Sequence, residues 1–148
     1  MTRGRRTALL LLRLAFAVIL GWASIDKILH PWAFSQDIVN YRVVGDGLSA
    51  VAAIWLPYLE LFTAICLLAG LWLDGAVLIN AGLMWMFLIL VLQAFFRRLD
   101  IHCGCFTVKG ESVIGPLKIA ENAALAAGSL ALLLLEAGPK NRRVENGP

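Results

Sequence analysis

Charge is scarce in this 148-residue chain: Asp, Glu, Lys and Arg make up 16% of it, apolar residues 60%, and the mean hydropathy is +0.79. A water-soluble domain of this size has too much surface for its volume to hide that much hydrocarbon. Cysteine is scarce as well, and three are too few for a small secreted domain stapled by disulfides. Disordered, collagenous and solenoid architectures are excluded by the same high hydropathy and by the absence of any repeat or low-complexity tract. A lipid bilayer imposes no such limit on exposed hydrocarbon.

Four apolar stretches approach or exceed the roughly 20 residues that a helix needs to cross a hydrocarbon core. They run 7–29, 48–73, 76–96 and 117–135. The sustained polar runs are the two termini, the segment 30–47 and the loop 97–116. The expected fold is all-α: one domain over 1–148, an integral membrane four-helix bundle with a short interfacial helix after the first span. A cysteine-bearing loop joins the third and fourth spans.

Arg3, Arg5 and Arg6 ahead of an apolar run also resemble a cleavable signal peptide. The run is too long for a signal core, and Asp26 and Lys27 at its far end make sense only in a retained helix. On a helical wheel Arg13, Ala17, Ser24 and Lys27 share one face, which is expected to look inward at the other helices. Net charge is +3, and its placement sets orientation, because Lys and Arg beside spans tend to stay cytoplasmic. Arg3, Arg5 and Arg6 at one end agree with Lys140, Arg142 and Arg143 at the other for an even number of crossings. Both termini are therefore expected on the cytoplasmic side and the 97–116 loop on the opposite side of the membrane.

Trp32, Phe34, Ile38 and Tyr41 recur at near-helical spacing, so 31–44 is expected to lie along the interface with its aromatics at headgroup depth. Gly70 to Gly75 make a short link that forces the second and third spans to run antiparallel. In the last span Ala120, Ala124 and Gly128 fall at intervals of four beside Ala123, Ala127 and Ala131. Rows of small residues let helix backbones approach closely in lipid.

The sharpest local feature is Ile101-His102-Cys103-Gly104-Cys105-Phe106. Two thiols one residue apart can join only if the backbone between them bends, and Gly104, having no Cβ, permits that bend. A ring so small is strained, and strained, exposed disulfides are the labile and oxidising ones. On this reading Cys103 and Cys105 are an exchangeable pair; His102 reads first as a surface or hydrogen-bonding imidazole, and alternatively as a neighbour that favours the thiolate. A second reading makes His102, Cys103 and Cys105 soft ligands for zinc or copper(I), with Cys66 or a water completing the set. A third leaves them as inert loop residues of a structural membrane subunit. Cys66, inside the second span, reads first as a small packing residue.

Ionisable groups within spans are costly and face the bundle interior or a cavity. Glu60 stands out in the second span, Glu121 with Asn122 in the fourth, and Asp26 with Lys27 in the first. Their plainest role is a structural ion pair, Glu60 with Arg13 or Lys27 across helices. The alternative is a carboxylate that takes up protons released by thiol oxidation or meets a quinone head group. Pro57, which lacks an N–H, loosens the backbone near Glu60.

Asp26-Lys27, Phe34, Tyr41, Leu56-Pro57, Glu60-Leu61, Leu67-Leu68-Ala69-Gly70 and Cys103-Gly104-Cys105-Phe106 occur here in an order that resembles the MauE family, within the DoxX-like membrane proteins. The resemblance covers about Arg13 to Glu136, and Thr107 stands where the family pattern continues with Gly. It implies a four-helix protein of the bacterial inner membrane that supports disulfide formation during maturation of an extracytoplasmic client. It further implies a thioredoxin-like, MauD-type partner, a redox pair at Cys103 and Cys105, and an embedded carboxylate at Glu60. A quinone is the candidate cofactor; nucleic acid is not expected as a partner.

Overall fold

A computed structural model describes residues 3–41, 45–97 and 116–145; side chains are described within these, apart from residues 3, 46 and 138–145. Every element among the described residues is helical: α1 (Arg3–Leu29), α2 (Pro31–Asn40), α3 (Asp46–Ala69), α4 (Leu73–Phe96) and α5 (Pro116–Glu145). Four of them, α1, α3, α4 and α5, are long and apolar enough to cross a membrane.

The helices start and stop where covalent chemistry requires. Pro31 cannot donate an N–H to continue α1 and disfavours helical geometry at His30, which sits at φ −128°, ψ 58°. The same Pro31 then opens α2 from the first position, where its missing N–H costs nothing. At the end of α3, Gly70 takes the left-handed conformation (φ +74°), and the N–H groups of Gly70 and Leu71 return to the Cys66 carbonyl. Trp72 is also left-handed (φ +45°), and α4 begins directly after it. The second span thus ends at Ala69 and the third begins at Leu73, earlier than the expected 73 and 76. The apolar run hides the break because Leu71 and Trp72 are themselves hydrophobic.

The spans form a closed ring. α1 packs most extensively on α3 and α4 on α5; α3 against α4 and α1 against α5 complete it, and α2 lies chiefly on α3. Arg13, early in α1, donates from Nε (3.2 Å) and Nη2 (2.9 Å) to the Leu67 carbonyl near the end of α3. A guanidinium there satisfies a carbonyl that the helix end leaves without a donor and complements the negative end of the helix dipole. Arg5 likewise donates to the Leu135 carbonyl of α5. These contacts fix two ends of the bundle: a basal end with Arg5, Arg13 and the α3–α4 link, and an apical end with α2, the end of α4 and the start of α5.

The core is built from Phe16, Leu20, Leu67, Val77, Met84, Val91 and Leu132, all buried, while large apolar residues such as Trp22, Trp55, Ile65 and Ile89 face outward. Outward hydrocarbon on four helices is what lipid contact requires. The expected polar face of α1 is found: Ala17, Ser24 and Lys27 are buried and Arg13 is half-buried.

Two expectations fail in detail. Of the aromatic stripe, Phe34 in α2 and Tyr41 just after it are buried against the bundle while Trp32 is 77% exposed, so the stripe does not present one outward face. In α5, Ala120, Ala123, Ala124, Ala127 and Ala131 are exposed; the buried row is Asn122, Ala126, Ser129 and Leu132. Of the predicted small residues only Gly128 makes a close approach, since a Cβ there would stand 3.3 Å from the Phe16 ring.

Candidate functional site

At the apical side of the bundle Lys27 of α1 meets Glu60 of α3, with Nζ 2.7 Å from Oε1 and 2.9 Å from Oε2. Both side chains are fully buried. Helical side chains tilt toward their own N-termini, and α1 and α3 are antiparallel, so the two point at one another along the bundle axis. This explains how Lys27, two residues from the end of α1, reaches a carboxylate deep in α3.

Two aromatic rings complete the enclosure. The ammonium lies 4.7 Å from the Phe87 centroid, contributed by α4, and 5.1 Å from that of Phe34, contributed by α2. Both distances suit a cation held by ring quadrupoles. Four elements therefore converge on a single charge. Neither ion can be buried alone in so apolar a setting without a large desolvation penalty; together, with both carboxylate oxygens accepting, they are tolerated. Of the two basic partners the sequence suggested for Glu60, the structure selects Lys27 and gives Arg13 to the α3 carbonyl.

Further polar side chains lie toward the basal end. Ser24, three residues before Lys27, and Thr63, three after Glu60, are fully buried; their hydroxyls donate to the Gly21 carbonyl (2.9 Å) and the Leu59 carbonyl (2.8 Å). Asn80 of α4 is fully buried too, and among the described residues neither its Nδ2 nor its Oδ1 has a partner. Sequence reasoning passed over Asn80 and Phe87. The available signal was an isolated amide in the most apolar span, seven residues before an aromatic.

The other expected site residues separate. Glu121 is not drawn into this cluster: it is exposed and pairs with Lys118 of its own helix at 2.8 Å, an i, i+3 contact. Asn122 is buried and donates to the Lys118 carbonyl at 2.9 Å. Cys66 is a buried free thiol near the basal end of α3, as a packing residue would be. His102, Cys103, Gly104 and Cys105 lie outside the described residues. Among the described residues no three His, Cys, Asp or Glu side chains gather as a metal site.

Comparison with known proteins adds the family. The model of the family described as "Methylamine utilisation protein MauE" matches residues 5–135. A methylamine utilization protein MauE of Paracoccus denitrificans is 30% identical over 122 residues, which covers 82% of this chain and 66% of that protein. Another from Methylorubrum extorquens is 33% identical over 120 residues, covering 79% and 64% respectively. This chain thus spans slightly under two thirds of the length of either relative. No solved structure matches it. A polytopic helical bundle built around an enclosed Lys27–Glu60 pair, matched by that model from Arg5 to Leu135, belongs to the MauE family.

Proposed function

We propose that this protein is a membrane thiol–disulfide component of methylamine utilisation, in which Cys103 and Cys105 exchange with a thioredoxin-like, MauD-type partner during maturation of an extracytoplasmic client. The observation that carries the reading is the Cys103-Gly104-Cys105 motif, lying between α4 and α5 of a MauE-family chain. α4 ends and α5 begins at the apical end, the end that holds α2 and the Lys27–Glu60 pair. With both termini cytoplasmic, that end faces away from the cytoplasm of the inner membrane, where disulfides persist.

In the oxidising direction a partner thiolate attacks one sulfur of the Cys103–Cys105 disulfide. A mixed disulfide forms, and the other loop sulfur leaves as a thiolate. The partner's second thiol resolves the intermediate, so its dithiol becomes a disulfide and the loop becomes a dithiol. Reoxidation of the loop releases two electrons and two protons, and a lipid-soluble quinone is the proposed acceptor. Glu60 is not offered to that acceptor, since Lys27 holds both its oxygens. The ion pair instead ties α1 to α3, and its ammonium meets the rings of Phe34 in α2 and Phe87 in α4.

Replacing one loop cysteine tests the reading by stalling exchange. With Cys105→Ser, and separately Cys103→Ser, a mixed disulfide to a thioredoxin-like protein should accumulate in membranes and dissolve on reduction. Absence of any such adduct with either variant, together with full function of the double Ser variant, would overturn it. Metal-dependent protection of the same thiols from maleimide would assign them to ligation instead.

A further inference from the structure

Lys27–Glu60 is the top of a longer polar row. α1 runs from the basal to the apical end, so Ser24 lies one turn below Lys27; α3 runs the other way, so Thr63 lies one turn below Glu60. Asn80 precedes Phe87 by seven residues, about 20° short of two full helical turns and about 10 Å along the axis. It therefore stands below Phe87 on nearly the face that meets the Lys27 ammonium. Three fully buried polar side chains from three helices thus lie basal to the ion pair.

Their hydrogen-bonding capacity defines what fits among them. Ser24 and Thr63 spend their hydroxyl protons on their own helices and keep lone pairs to accept with. Asn80 adds an unpartnered acceptor, Oδ1, and two unpartnered N–H donors on Nδ2. The complementary ligand is small, donates twice and also accepts. A cation finds only neutral oxygens, since the carboxylate is held by Lys27. An oxidised quinone accepts but cannot donate.

We propose that Asn80, Ser24 and Thr63 form an internal hydration site, where bound water satisfies the Asn80 amide and extends the Lys27–Glu60 pair into a wet seam through the membrane bundle. Buried water typically makes roughly two to four hydrogen bonds to groups that would otherwise lack partners, and the row supplies that number. The site is independent of the cysteine chemistry.

Radiolytic hydroxyl-radical labelling of the full chain in lipid nanodiscs reads the site directly. Met84 lies one turn from Asn80 on the same helix and is 2% exposed, so radicals born in bulk water do not reach it. The wild type should show Met84 oxidation. Asn80→Leu, of similar volume without the amide, should lose that labelling and lower the unfolding midpoint, whereas Asn80→Ser should keep the labelling. An unlabelled Met84 in the wild type would overturn the proposal, as would labelling that survives Asn80→Leu. A midpoint raised by Asn80→Leu would do the same, because it marks an amide with nothing bound. A short-chain ubiquinone that raises the midpoint of the wild type but not of Asn80→Leu would reassign the amide to that head group.

Discussion

Replacing Lys27 by Met keeps much of the side-chain volume and removes the charge, which leaves the Glu60 carboxylate fully buried without either of the 2.7 and 2.9 Å hydrogen bonds it accepts from Nζ. Breaking a buried pair from one side costs about 3–5 kcal/mol, because the remaining ion keeps its desolvation penalty. Glu60→Leu should cost less. The orphaned ammonium retains the Phe34 and Phe87 rings, worth about 0.5–2 kcal/mol, and Lys27 lies near enough to the end of α1 to withdraw its flexible side chain toward the interface. Lys27→Met combined with Glu60→Leu removes both charges and should fall within about 1 kcal/mol of the wild type or exceed it, as apolar replacements of buried pairs do. Reversible unfolding in detergent, followed by tryptophan fluorescence, measures all four corners of this cycle. Single variants that each cost under about 1 kcal/mol and add in the double variant would show that the two groups do not interact, and the reasoning would fail.

Other perturbations follow from the same contacts. Phe87→Leu should cost about 0.5–2 kcal/mol through the lost ring quadrupole, and much less in a Lys27→Met background; equal costs in both backgrounds would remove the ring from the pair. Gly70→Ala should destabilise by at least about 1–2 kcal/mol for the left-handed backbone, with a further cost because the new Cβ stands 2.9 Å from Arg13 Nη2. A thermal midpoint unchanged by that substitution would contradict this account of the α3–α4 link. Glu121→Gln should shift stability by under about 1 kcal/mol, since its partner is a surface lysine, and should leave disulfide exchange intact. A large loss in client maturation would return Glu121 to the site.

The bundle was legible in the sequence because a bilayer demands long uninterrupted hydrocarbon, and four such runs stand out. The inward face of α1 was legible for a related reason: Arg13, Ser24 and Lys27 are polar enough to break the symmetry of an apolar helix. The choice between Arg13 and Lys27 as the partner of Glu60 was not, because it depends on which level of α1 lies beside Glu60 in the antiparallel packing. The face of α5 was misread since lipid and helix neighbours are both apolar, so Ala120 and Ala124 carry no label for which they touch. Asn122 and Ser129, the polar members of the buried row, were the better guide. That the Phe34 and Phe87 rings face Lys27 was not legible, because sequence alone does not distinguish a ring facing a cation from a ring facing lipid.

The redox state of the loop thiols in the native membrane tests the central claim most directly. Sequential alkylation with light and heavy reagents before and after reduction, read by mass spectrometry across the Cys103–Cys105 peptide, counts the joined and separate forms. The account predicts that both forms occur and that their ratio follows the redox state of a thioredoxin-like partner. Thiols that stay separate in oxidising and reducing growth alike would contradict it.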